Sequence, residues 1–489
     1  MTITEFIFQI ERELGFPPTA EQHAAIEVFA SFLTDRNDQS LMILRGSAGT
    51  GKTTVASAMV RTLHRLGQKT VLLAPTGRAA KVFALNSGRP ASTIHRRIYR
   101  QKSLDGAFGM GFNSARDTLF MVDESSMISA VATASFVDSG VSGSSLLDDL
   151  LRYVYEGQGC RLLLIGDPAQ LPPVGEEEAP ALQSSVMRGF GMHVYESTLS
   201  EVVRQAEESG ILWNATRIRR MQTDAAEGFE LALPRIRFRG FADVLRVPGG
   251  ELIESLSSSY SLVGIDDTMV VTRSNKRANV YNLGIRNTIL DREDELTTGD
   301  LLMVVKNKYL SPTQALPNRD GDLGARGKET IDFIANGDRA RVQRVRNVRD
   351  LYGFRFADVW LQFPDYDDYE MTSTVLLDTL TTEAPALTHE QSDQLFQAVL
   401  EDYSDIPQKA ERMKKMKEDP YYNALQVKFA YAVTCHKAQG GQWAHVYIDQ
   451  GYMTDDMLTP DYVRWLYTAF TRATEKVFLV NWPKNQEEE

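Results

Sequence analysis

The stretch Gly46-Ser47-Ala48-Gly49-Thr50-Gly51-Lys52-Thr53-Thr54 constrains the chain more than any other. Three glycines within six residues disfavour a regular helix or strand. The apolar run Leu41–Leu44 precedes the stretch, and Val55, Ala56, Met59, Val60 and Leu63 follow it at helical spacing up to a stop at Gly67. A strand, a glycine loop and a helix in that order turn backbone N–H groups toward a phosphate, and the helix N-terminus adds positive potential. Lys52 is expected to reach the β- and γ-phosphates of a nucleotide, and the Thr53 hydroxyl to bind Mg²⁺.

Other short apolar runs repeat the strand half of this pattern: Val71–Ala74, Leu119–Val122, Leu162–Ile165, Met269–Val271, His445–Ile448 and Val477–Val480. Helical stretches separate many of them. Runs of this length without alternation suit strands buried on both faces, as in parallel α/β sheets. Functional residues then belong at the carboxyl ends of the strands. From about Gly299 to Leu425 the pattern is irregular, with turn pairs Gly299-Asp300, Asp320-Gly321 and Asn336-Gly337. Arg339–Val345 and Val359–Phe363 read as short strands of a small β module. Thr388 and Gln391 form a capping-box pattern ahead of a helix to Tyr403, with Leu395, Phe396, Val399, Leu400 and Tyr403 on one face. Pro407 ends that helix, and Lys409–Asp419 continues as a charged one.

The 489 residues leave room for about three domains. Net charge is −12, which excludes a globally basic nucleic-acid coat but not a local basic groove. Two cysteines, Cys160 and Cys435, exclude a disulfide framework and a cysteine-rich zinc site. The acidic N-terminus is a poor signal peptide and the apolar runs are short for a membrane span, so the expected location is the cytoplasm.

Leu119-Phe-Met-Val-Asp123-Glu124 is a strand ending in two acids, about 70 residues after the phosphate loop. Asp123 suits Mg²⁺ binding, and Glu124 suits orienting and deprotonating an attacking water. Leu164-Ile-Gly166-Asp167-Pro-Ala-Gln170 is the next strand end. With the loop and the acid pair it resembles motif III of superfamily 1 helicases. Further segments match that family in chain order. Gln22 resembles the Q motif, Thr76-Gly77-Arg78-Ala79-Ala80-Lys81 motif Ia, and Ser92-Thr93-Ile94-His95-Arg96 motif Ib. Leu199-Ser-Glu-Val-Val-Arg204-Gln205 resembles motif IV, Ala432–Gln442 motif V, and Leu466-Tyr467-Thr468-Ala469-Phe470-Thr471-Arg472-Ala473 motif VI. The form of motif Ia and the insert with Asn336-Gly337-Asp338 resemble the RecD-like and Dda-like B branch. Ala438 and Gln442 depart from the Ser and Glu common in its motif V.

The resemblance implies two RecA-like domains in an α/β fold, with ATP and Mg²⁺ as cofactors. It implies domain 1A over residues 1–200, with a pin insertion, 1B, at about 97–117. Domain 2A would be formed by 201–298 and 426–489. An SH3-like 2B module with a tower-like elaboration at Asp365–Leu425 would occupy 299–425. It implies Arg204 and Arg472 as arginine fingers, Gln170 as a sensor of the γ-phosphate or its water, Gln22 at the adenine edge and Tyr467 near the nucleotide. Thr76, Arg78, Thr93, His95 and Arg96 on one domain, and Arg273, Asn275, Thr434, His436 and Lys437 on the other, are the nucleic-acid candidates. His95 and His436 equally suit structural histidines. Phe108 or Phe112, in the Gly-rich segment 98–117, would stack on the last base pair if that segment is a pin rather than a plain loop. The implied activity is 5′–3′ translocation on single-stranded DNA and unwinding of forked duplex. The alternatives are a P-loop ATPase that does not unwind and a motor subunit of a recombination helicase–nuclease complex.

Overall fold

The computed structural model describes residues 2–101, 108–132, 144–202, 209–310 and 333–488. The chain divides into two compact units. The first comprises 1–100, 108–271 and 435–489, and the second is built on 272–434.

The first unit holds a six-stranded sheet in the order Ala91–Thr93, Lys69–Ala74, Thr118–Val122, Arg161–Gly166, Ser40–Gly46, His193–Leu199. Every neighbouring pair is parallel. The uninterrupted apolar runs follow from burial on both faces, because successive side chains serve different cores. Met42, Leu44, Leu72, Met121, Leu163 and Ile165 join one core with the helices Ile3–Leu14, Ala20–Thr34 and Lys52–Arg65. Leu41, Ile43, Leu73, Phe120, Val122, Leu162 and Leu164 join the other, with Ile94–Ile98 and Leu146–Glu156. Since all six strands run one way, Gly46, Ala74, Val122 and Gly166 end on one edge.

The strands of a second sheet within this unit follow the order Val244–Val247, Ala473–Val480, Trp443–Asp449, Thr268–Thr272. The first two pairs are parallel. The helices Gly210–Ala226 and Pro460–Phe470 are packed together beside it. A two-stranded ribbon pairs Tyr99–Gln101 with Phe108–Met110. Glu487–Glu488 forms another with Ile236–Arg237. The mixed α/β class with parallel sheets is the one expected, and no helix among the described residues is long and apolar enough to cross a membrane.

The second unit contains a closed barrel of Leu301–Val304, Arg339–Leu351, Phe354–Phe363, Tyr369–Leu376 and Leu425–Phe429. The two long strands form a hairpin whose turn residues Tyr352 and Gly353 both have positive φ, +58° and +78°, the conformation of the tightest hairpin turns. This hairpin is longer than the short strands expected from sequence. The helical elaboration is also narrower than Asp365–Leu425. Met371, Ser373 and Val375 alternate inward, so Tyr369–Leu376 is a barrel strand, and Leu425 opens the last strand. The helices His389–Asp402 and Lys409–Glu418 lie between them. The Thr388–Gln391 capping box is formed, and Leu395, Val399 and Met416 cover Phe354, Phe356 and Leu376.

Asp300 anchors the barrel's entry. It is fully buried and accepts from Arg286 Nε (3.1 Å) and Nη2 (3.0 Å), Arg292 Nη1 (3.0 Å), Tyr431 Oη (2.9 Å) and the Thr297 amide (2.8 Å). The Arg286 guanidinium also lies 4.3 Å from the Phe429 ring centroid. Two guanidinium groups around one carboxylate thus join the helix Asn275–Gly284 and its extension to the barrel strands.

Candidate nucleotide site

The phosphate loop sits at the carboxyl end of Ser40–Gly46, and Gly49 and Gly51 take left-handed φ of +78° and +81°. Gly46 has no space for a side chain: a Cβ there would lie 2.8 Å from both Lys52 and Thr50. Lys52 Nζ donates to the Ser47 carbonyl (2.9 Å), inside the loop it is expected to serve. Thr53 and Thr54 open the helix that follows.

Asp123 and Glu124 end the strand Thr118–Val122 on the same edge. Glu124 is held at a positive φ of +52°, an uncommon conformation for a residue with a side chain, and its N–H donates to Asp123 Oδ1 (2.9 Å). Burial, and then the neighbouring Glu124 charge, push the Asp123 carboxyl above its usual range. A buried carboxylate with a second acid beside it has the character of a cation site, since a cation would relieve both causes. The hard oxygens of Asp123 and Thr53 are of the type that suits Mg²⁺.

Residues of the second sheet's helices and loops reach this edge. Arg472 is 2% exposed, and its guanidinium lies 3.9 Å from Glu124 Oε1. It is held from behind by its own main chain and its neighbours: Nε donates to Thr468 O, Nη1 to Gly441 O, and Nη2 to Thr471 Oγ1. The Tyr467 hydroxyl accepts from the Ala48 amide of the phosphate loop (2.9 Å) and donates to Asp167 Oδ2 (2.6 Å). Burial and the Asp167 charge hold this phenol well above its ordinary pKa, so it keeps the proton it donates. Gln170, 6% exposed, has an Oε1 with no hydrogen-bond partner among the described residues.

Gln22 is held beside the phosphate loop. It is fully buried, its Oε1 accepts from the Thr19 amide (3.1 Å) and its Nε2 donates to the Thr50 carbonyl (3.1 Å). The side chain therefore ties its own helix cap to the phosphate loop. Arg219, which sequence reasoning missed, donates to Ser47 Oγ of the loop. It lies on Gly210–Ala226, where an arginine among several carries no distinguishing signal. The same helix places Leu212 against Gly49, with Val202 beside it, and these two line a cavity of about 530 Å³ with Trp213, Thr216 and Arg220.

Arg204 and residues 102–107 lie outside the described residues, and Phe108 is described only as backbone. The nucleic-acid candidates are distributed over both units. Thr76 caps Gly77–Ser87 and Thr93 caps Ile94–Ile98. Gly440 has φ +70°, and a Cβ there would lie 3.1 Å from Thr76 Oγ1 and Ala79 Cβ, so the segments resembling motifs Ia and V touch. Arg78 lies over the Trp443 ring at 4.8 Å and reaches the Gln442 carbonyl and Asp267. Arg96 is half-buried, and burial lowers the His95 pKa to about 4. His436 is exposed and Lys437 half-exposed on the turn Cys435–Ala438. In the second unit Arg273 is exposed, Asn275 begins the helix capped by Ser274, and Thr434 ends Ala432–Thr434. Phe112, beside the ribbon, is 78% exposed.

Two family models match the chain: an AAA domain over residues 18–239 and a UvrD-like helicase C-terminal domain over 429–480. The ATP-dependent RecD2 DNA helicase of Deinococcus radiodurans is 35% identical over 162 residues, 32% of this chain and 19% of that protein. The chain thus spans about a fifth of that relative's length. An uncharacterized protein of Acanthamoeba polyphaga mimivirus is 21% identical across 91% of this chain and 96% of its own. The crystal structure of Pif1 helicase from Bacteroides in complex with ADP-AlF3 and ssDNA has 15% identity and a TM-score of 0.44, covering 97% of this chain and 95% of that one. The two models fall on the two stretches that carry the phosphate loop and Arg472. The two family models and the RecD2 relative agree with the superfamily 1 helicase resemblance that the motifs carry.

Proposed function

We propose that the chain is an ATP-driven motor that moves 5′–3′ along single-stranded DNA and unwinds forked duplex. The observation that carries this reading is the composite site: Arg472 faces Glu124, and Tyr467 grips Ala48, from a different sheet than the one bearing the phosphate loop. A phosphate on this loop must exchange the bonds that Lys52 and Ala48 now make, so occupancy by nucleotide acts on the Tyr467 contact as well. Glu124 accepts the proton of the water that attacks the γ-phosphorus, and Gln170, with its unsatisfied buried oxygen, orients that water. Arg472 offsets charge on the transferring phosphoryl group, a role worth roughly 10³–10⁵ in rate. Asp123 and Thr53 are the residues that hold Mg²⁺, which when bound neutralises phosphate charge. The cavity beside Gly49 supports a place for the nucleoside end, with Gln22 close by at Thr50 to meet the adenine edge.

On the DNA side, the contact of Thr76 with Gly440 supports a continuous track from the motif Ia segment to His436 and Lys437. The groups there are hydroxyl and basic, which suits phosphates and not base reading. The ribbon of Tyr99–Gln101 and Phe108–Met110 is the pin in this reading, with Phe112 exposed beside it, and the closed barrel is the SH3-like module.

Strand displacement with ATP and Mg²⁺ on duplexes bearing a 5′ or a 3′ single-stranded tail tests the proposal. Displacement of the 5′-tailed duplex alone is expected. Displacement of only the 3′-tailed duplex would overturn the polarity. ATP hydrolysis indifferent to DNA, with no displacement, would favour a P-loop ATPase that does not unwind.

A further inference from the structure

The loop Asp167–Leu171, which carries Gln170, is held by side chains that all come from helices and loops of the second α/β part. Tyr467 takes Asp167, and Gln222 Nε2 donates to the Ala169 carbonyl at 3.0 Å. The Leu171 amide donates to Thr468 Oγ1 at 2.9 Å, and the Leu171 carbonyl accepts from Gln439 Nε2 at 2.6 Å. Both main-chain polar groups of the residue next to Gln170 are therefore fixed from outside the loop, in a buried setting. Thr468 is also the residue whose carbonyl receives Arg472 Nε. Gln439 directly follows the turn that carries His436 and Lys437, and directly precedes Gly440, which packs on Thr76.

We propose that Gln439 is a positioning residue that transmits DNA occupancy to the hydrolytic site. The inference rests on the function proposed above. DNA drawn onto His436, Lys437 and Thr76 shifts the short segment that bears Gln439. The amide of Gln439 then moves the Leu171 carbonyl, and Gln170 with it, relative to the γ-phosphate and Glu124. The Thr468 bond to the amide of the same residue keeps Arg472 in register with that movement. The Gln439 side chain donates to a buried carbonyl that has little water to fall back on.

The test compares the full chain with Gln439→Met, which keeps length and apolar bulk but cannot donate. ATP hydrolysis is measured without and with a single-stranded oligonucleotide, alongside oligonucleotide affinity by fluorescence anisotropy. For the variant, hydrolysis without DNA and DNA affinity are expected to stay within about two-fold, while stimulation by DNA falls about ten-fold, as suits one lost buried bond. Unchanged stimulation would overturn the proposal. So would an equal fall in stimulated and unstimulated hydrolysis, which a merely structural role produces. If Gln439→Met fails to fold, Thr468→Val removes the bond to the amide of the same residue, Leu171, and is expected to lower stimulation in the same selective way. A wild-type chain that hydrolyses ATP without any response to DNA would instead overturn the function itself, an outcome distinct from failure of the relay.

Discussion

Removing the Asp300 carboxylate strikes at the charge cluster that anchors the barrel's entry. Its side chain is wholly buried, and that of Arg286 is 3% exposed, so this pair receives little help from water; Arg292, 20% exposed, is partly screened. In Asp300→Ala the Arg286 guanidinium stays in the barrel wall with its Asp294 carbonyl contact but without its counter-charge, and the Tyr431 hydroxyl and Thr297 amide lose their acceptor. Breaking one partner of a buried pair costs roughly 3–5 kcal/mol, and the Arg286 pair places this site in that range. Unfolding in urea should be followed by hydrogen exchange at Leu301–Val304 and Leu425–Phe429, because a chain of two units need not melt in one step. A destabilisation of those strands below about 1 kcal/mol would refute the reasoning, since it would mean that water reaches Arg286 once the carboxylate is gone. The double variant Asp300→Leu with Arg286→Met, which removes both charges, is expected to recover much of the loss.

Other perturbations give sharper readings of the site. Arg472→Ala should lower ATP turnover by on the order of 10³ while nucleotide affinity, measured with a fluorescent ATP analogue, changes little. Arg219→Ala removes a cation from Ser47, so KM for ATP should rise more than kcat falls; an unchanged KM would exclude Arg219 from nucleotide binding. Thr388→Ala breaks a formed capping box and should cost about 1 kcal/mol in the barrel's helical cover, with exchange rising first over His389–Asp402. Burial depresses the His95 pKa to about 4, so the unfolded chain takes up a proton near pH 6.5 that the folded chain refuses until about pH 4. Stability is therefore present above pH 6.5 and lost as pH falls through that window, and His95→Gln should show a shallower decline in thermal melts.

What could be read from sequence was local. Leu41–Leu44 and Leu162–Ile165 announce strands because each residue is apolar whichever face it serves, and the glycine loop announces a phosphate site because no regular element tolerates it. Thr388 and Gln391 announce a helix start through two hydrogen bonds spanning three residues. Tyr369–Leu376 escaped notice because Glu370, Thr372 and Thr374 interrupt the apolar pattern on its outer face. The role of Gln22 at Thr50, the grip of Tyr467 on Asp167 and the approach of Arg219 to Ser47 join residues 28, 300 and 172 positions apart. No pattern along the chain encodes such meetings; they exist only once the chain has folded.

The barrel's closure bears on how the molecule is made. The second sheet takes Thr268–Thr272 from before the barrel and Trp443–Asp449 from after it, with about 170 residues between. Leu302 and Phe429, however, are paired neighbours in the barrel. A barrel that has already closed brings the two flanks together and leaves about 40 residues of slack, a fourfold shortening that lowers the entropy cost of finishing the sheet by about 1 kcal/mol. Val244–Val247 must still wait for Ala473–Val480. During synthesis Val244–Val247 thus stays unpaired until Ala473–Val480 arrives, which leaves it in need of protection from wrong pairing while the protein is being born.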